Sequence, residues 1–215
     1  VMPTIVTKLP EKDSVQIWFQ PVKADSLNLE IVNENFKKDF YFKIKDQKKD
    51  TLSFSAQPLG ILHFRNNFEI TSTIPLTKFD STKITLRNKD SIIVPFTTEY
   101  DEFNQKLKFN FKKEPLEKYT LLLMPGALTD FYEKSNDTLN YKFSTKDPAD
   151  YANLTLKLEN VKKFPIIVQL TDAKGKILDS EYSTSSSTIV FNSFEPKKFF
   201  LRIIYDDNAN GVWDP

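Results

Sequence analysis

Apolar and polar residues alternate with a period of two along most of this chain, and that pattern restricts it to β structure. In "SVQIWFQ" Val15, Ile17 and Phe19 share one face; in "KLKFNFK" Leu107, Phe109 and Phe111 do; in "NLTLKLEN" Leu154, Leu156 and Leu158 do. Successive side chains of a strand point to opposite faces, so these segments read as strands with one face in a core and one in water. The continuous apolar runs "YTLLLMPG" and "KKFFLRIIYDD" are expected to be the more deeply buried strands. Helical periodicity is weak, and its best candidate, "DEFNQKLKFNF", fits a hairpin better. The expected fold class is all-β, as tandem antiparallel β-sandwich domains.

Turn chemistry divides the strands into units. Asp-Ser or Asp-Thr followed by an apolar residue recurs at Asp13, Asp25, Asp50, Asp90 and Asp137 with irregular spacing. Short polar side chains that bond nearby backbone amides close a turn, and a strand starts directly after it. Lys146-Asp147-Pro148 marks the sharpest boundary, and Pro58 with Gly60 a softer one. Three units are expected: an incomplete β (Ig-like) unit at 1–58, a second at 61–146 and a third at 149–215, stopping inside a loop. Since Val1 is not an initiator Met and the last loop is cut at Pro215, the natural protein is expected to extend both upstream and downstream.

Composition excludes several classes. The 30 Lys and Arg nearly cancel the 29 Asp and Glu, and a net charge of +1 provides no field for a nucleic acid or an anionic membrane. Only four glycines are present, far apart, so no phosphate-cradling loop can form. With no Cys there is no thiolate nucleophile, zinc knuckle or disulfide framework. The single histidine, His63, lies in the strand-like "ILHFRNN" without a nucleophile elbow to serve. Asp101, Glu102, Asp130 and Glu133 could pair as glycosidase acids, but among so many acidic residues some pair is always close.

The middle unit resembles the bacterial Ig-like domain of the S-layer SbsA type. The resemblance rests on "IPL" (Ile74–Leu76), "STKITL", the hairpin into "KLKFNF" and the closing "KYTLLLMPGALTDFYEKSNDTLNYKFST", whose turn "DFYEKSND" replaces the family's D-x-x-G-N. The last unit, with "FPIIVQLTDAKGKILDSEY" and "KKFFLRIIYDDNANGVWD", resembles transthyretin-like or carboxypeptidase-regulatory-like sandwiches. Together they imply an exported protein of the Gram-negative cell envelope, of the outer-membrane lipoprotein kind. Its location would be the outer membrane, the cell surface or the periplasm, with membrane attachment only through an anchor outside this stretch. The resemblance implies a non-enzymatic spacer, scaffold or accessory binding subunit whose partners are other envelope or outer-membrane proteins. The alternative is a carbohydrate-binding or adhesive surface module.

Two groups of residues stand out as sites. In "YDDNANGVWDP" Asp206, Asn208 and Asn210 alternate, Gly211 follows, and the Val212 carbonyl and Asp214 complete the order of oxygen donors in a calcium loop. A structural calcium is one reading; an Asn-Gly hairpin turn that needs no metal is the other. Trp18 falls on the opposite phase from Ile17 and Phe19, so it is either exposed for stacking or covered by a neighbouring unit. Phe131 and Tyr132 in "DFYEK", with Trp213, are the other candidate contact aromatics.

Overall fold

The computed structural model describes residues 2–9, 14–20, 24–33, 36–44 and 50–213. These are all-β apart from two single 3₁₀ turns, Ser81–Lys83 and Pro148–Asp150. No helix among them is long and apolar enough to cross a membrane. The chain opens with two antiparallel pairs, β1 (Thr4–Lys8) with β2 (Val15–Phe19), and β3 (Ser26–Asn33) with β4 (Phe36–Lys43).

Ten strands build the middle unit: β5 (Phe54–Gln57), β6 (Gly60–Ile61), β7 (Phe68–Ser72), β8 (Leu76–Phe79), β9 (Ile84–Arg87), β10 (Phe96–Asp101), β11 (Lys106–Phe111), β12 (Lys118–Leu123), β13 (Leu128–Asp130) and β14 (Leu139–Ser144). They form two four-stranded sheets, ordered β10-β11-β7-β5 and β6-β14-β12-β9, with a β8–β13 ribbon alongside. Pairing is antiparallel except between β6 and β14. Alternation places Phe68, Ile70, Leu107 and Phe109 of one sheet against Leu86, Tyr119, Leu121 and Phe143 of the other, in one buried core. The Phe68 and Phe143 rings stack across it with centroids 4.5 Å apart.

The sequence break at Pro58 and Gly60 is a crossover inside this sandwich. β5 pairs with β7 in one sheet and β6 with β14 in the other, so residues 54–61 hydrogen-bond with strands of the middle unit. Gly60 turns the chain at a φ of +90°, a conformation that glycine adopts without the cost a Cβ imposes. A turn between sheets and a turn between domains carry the same residues, so the signal alone does not separate them.

The last unit contains β15 (Ala152–Lys157), β16 (Ile166–Thr171), β17 (Ile177–Ser183), β18 (Thr188–Phe194) and β19 (Phe200–Tyr205), arranged as β15-β18 and β17-β16-β19. Leu154, Leu156 and Leu158 pack on Ile166, Val168, Leu170, Ile189 and Phe191, as their alternation predicts. The deepest strand is β16, buried at every position, whereas β19, from one of the runs expected to be deeply buried, is partly exposed at every position. The reason is strand order: β16 has neighbours on both sides and β19 lies at an edge. The run "YTLLL" is likewise buried at only one phase, Tyr119, Leu121 and Leu123.

Replacing Phe143 with Ala removes one half of the cross-sheet stack and opens a cavity. The expected loss is about 3–5 kcal/mol, measured as a shift in the urea midpoint at constant slope.

Candidate functional site

Three of the four contact aromatics singled out from the sequence, Trp18, Phe131 and Tyr132, come together. Trp18, Phe131 and Ile74 form one buried cluster, with Ile5, Leu52 and Tyr132 packed on it. Trp18 is 4% exposed and its indole N–H donates to Thr7 Oγ1 at 2.8 Å. Tyr132 meets the indole edge-on with centroids 6.3 Å apart, and its hydroxyl reaches the Phe19 carbonyl at 3.4 Å. The Gln20 amide donates to the Phe131 carbonyl at 2.6 Å. Burial, then the charges of Asp50 and Asp130, push the Tyr132 hydroxyl pKa up. The exposed-platform reading of Trp18 is therefore corrected: β2 turns this residue onto the middle unit. A two-stranded ribbon has no core of its own, so the neighbour decides which phase is buried.

The loop that receives Trp18 is shaped by Asp130. Its Oδ1 accepts the N–H groups of Tyr132 and Lys134, each at 2.8 Å, and Asp130 N–H donates to the Lys134 carbonyl. Glu133 adopts a positive φ of 64° in a turn that contains no glycine. Its carboxylate pairs with Lys78 at 2.9 Å, while Asp101 caps its own hairpin through Asn104. These acids thus serve local turns and ion pairs.

A second cluster joins the middle unit to the last one, and sequence reading missed it. The Arg65 guanidinium lies 3.0 Å from Asp179 and 2.6 Å from Glu181 of β17, and donates to the Asn192 carbonyl of β18. His63 Nε2 faces the Glu195 carboxylate at 3.2 Å, and Nδ1 meets the Tyr151 hydroxyl at 2.9 Å. Tyr151 also packs edge-on to His63 and Phe64. A cleft of about 130 Å³ lies here, lined by His63, Arg65, Leu178, Asp179 and Phe199 among others. Burial pushes the Asp179 carboxyl up, against the pull of the Ser180 N–H and of Arg65. The available signal was the scarcity of Arg, which occurs at only three positions, 65, 87 and 202. A planar five-donor fork suits fixed multidentate contacts, whereas Lys suits a solvated surface.

In the terminal loop, Asp206 is buried and accepts the Gly211 N–H at 2.8 Å through Oδ2. Asn208 and Asn210 accept the N–H groups of Asn210 and Val212 through their side-chain oxygens. Val212 is exposed, and Asp214 lies outside the described residues. Trp213 is half exposed, with the Arg202 guanidinium 5.1 Å from its ring centre, and is remote in sequence from the Trp18 cluster. The β3–β4 hairpin pairs with no other strand among the described residues and exposes Phe36, Phe40, Tyr41 and Phe42.

Neither a family model nor a curated protein matches this chain.

The two joints respond differently to substitution. Trp18→Ala is expected to cost about 3–5 kcal/mol in urea denaturation, since it empties the cluster and strips Thr7 of its donor. Arg65→Ala should cost roughly 1–3 kcal/mol, discounted for partial exposure, and more than Asp179→Asn, because removing the cation leaves a largely buried carboxylate uncompensated. The Asp179 carboxyl lies above its unfolded value of 3.8, so the folded state takes up its proton first. Stability from this group therefore increases as pH falls from neutral through the raised value, and the wild type should gain on Asp179→Asn over that window.

Proposed function

We propose that this chain is a non-enzymatic scaffold or spacer of the bacterial cell envelope, built from an SbsA-type Ig-like unit followed by a transthyretin-like one. The observation that carries the reading is where the distinctive side chains are used. Trp18, Phe131 and Tyr132 fasten the first strands to the middle unit, and Arg65 and the sole histidine fasten the middle unit to the last. Residues with the chemistry for binding or catalysis are thus committed to fixing units against one another, which is what a connecting element needs. The exposed β3–β4 hairpin adds a surface and two strand edges for a protein neighbour in the same assembly, consistent with an accessory binding role.

Of its candidate aromatics the glycan-binding alternative keeps exposed Trp213 and partly exposed Tyr132, since Trp18 and Phe131 are buried. Loss of polysaccharide binding in Trp213→Ala with unchanged stability would favour it.

The absence of Cys makes the scaffold reading directly measurable, because spin labels can be placed at will. With labels at exposed Lys118 and Lys157, pulsed dipolar spectroscopy should give a single narrow distance distribution that broadens in Arg65→Ala. A broad distribution in the wild type would overturn the reading, as would recovery of the native protein in the cytosolic fraction of its host.

A further inference from the structure

Asp206 is the one residue of the terminal loop whose burial is not explained by the turn it closes. It follows β19 directly, and its N–H donates to the Pro165 carbonyl at 3.1 Å. The side chain lies across the loop, with Oδ2 on the Gly211 N–H at 2.8 Å, while Asp206 as a whole is only 4% exposed. Oδ1 has no contact with solvent and no well-formed hydrogen bond, although the Tyr182 hydroxyl interacts with this carboxylate. Burying a carboxylate oxygen that lacks a well-formed donor is unfavourable unless another partner compensates it. A turn needing only the Gly211 contact could leave that oxygen in water.

The surrounding oxygens match one kind of partner. Side-chain oxygens recur at every second residue, 206, 208 and 210, and Gly211 then turns at a φ of +73° before the Val212 carbonyl. Asn210 Oδ1 accepts the Val212 N–H at 2.8 Å, and Asn208 Oδ1 the Asn210 N–H at 3.4 Å, which sets both amides along the loop. Donors at the first, third, fifth and seventh places with glycine at the sixth are the order by which short loops surround calcium. The nearby lysine, Lys163, is paired with Asp207 and thus with the residue beside the loop's carboxylate.

We propose that the loop from Asp206 to Val212 binds a calcium ion through the Asp206 carboxylate, the Asn208 and Asn210 amide oxygens and the Val212 carbonyl. The described residues contain no cluster of three or more acidic, His or Cys ligands, so the site works with one carboxylate and neutral oxygens. Its dissociation constant is therefore expected at the weak end, on the order of 0.1–1 mM, completed by water. Magnesium is disfavoured because it demands near-ideal octahedral geometry and gives up water reluctantly. The ion would lock the course of the chain as it leaves β19. This proposal does not depend on the scaffold reading.

The experiment is thermal melting of the whole chain with calcium chloride, magnesium chloride or chelator. With calcium at about ten times the dissociation constant, the melting temperature should rise by roughly 3–6 °C, with a smaller rise in magnesium. Asp206→Asn should lose the calcium response, and in chelator it should melt at or above the wild type, because the buried charge is gone. A residue serving only to close the turn would give the opposite result in chelator. Asn210→Asp adds a second carboxylate and should move the calcium midpoint to lower concentration, so the idea stays testable if Asp206→Asn fails to fold. No rise in wild type at about 10 mM calcium, a rise that survives in Asp206→Asn, or an unmoved midpoint in Asn210→Asp would each overturn it.

Discussion

The contact on which the rest of the molecule depends is the meeting of two sheets in the middle unit, where Phe68 and Phe143 stack within a core shared by both. Each sheet alone would expose an apolar face, and burying both faces together is the main favourable term in forming the sandwich. Both joints rest on it. Ile74, Phe131 and Tyr132, which hold Trp18, lie on the loops around β8 and β13, and Leu76 and Leu128 of those strands reach into the same core. His63 and Arg65 follow Leu62, another fully buried core residue. The flanking units are thus positioned by side chains whose own backbone is fixed by the central packing.

Polar burial is concentrated at these same places. Asp130, Asp179 and Asp206 each bury one carboxylate oxygen without a well-formed hydrogen bond while the other, or the backbone around it, is bonded. At Asp130 the gain is a tight turn formed without glycine; at Asp179 it is the Arg65 bridge between units. Such groups contribute less to net stability than to the choice of one arrangement over others.

Much of the fold was legible because the pleat gives a direct rule for which residues turn inward. "KLKFNFK" and "NLTLKLEN" obey it, since both lie in strands that face a sandwich core. "SVQIWFQ" does not, because its ribbon has no core of its own and the neighbouring unit buries the Trp18 phase instead. "KKFFLRIIYDD" misled for another reason: strand order is set by long-range pairing, and the centre of the sheet went to "IIVQLT". Of the candidate site residues, the spacing of Asp206, Asn208 and Asn210 was plain in the sequence. The burial of Asp206 was not, and neither was the meeting of Trp18 with Tyr132, 114 positions away.

The parallel pairing of β6 with β14 has a mechanical consequence. The chain enters the middle unit through β5 and β6 and leaves it through β14, and β6 and β14 run side by side, with Leu62 N–H also bonded to the Ser144 carbonyl at 2.8 Å. Tension applied between the flanking units would pull the start of one parallel strand against the end of the other. The bonds between them would then be sheared together rather than opened one after another. A molecule that transmits load along its length would be held shut at that point by a short patch of backbone, backed by the stacked rings behind it.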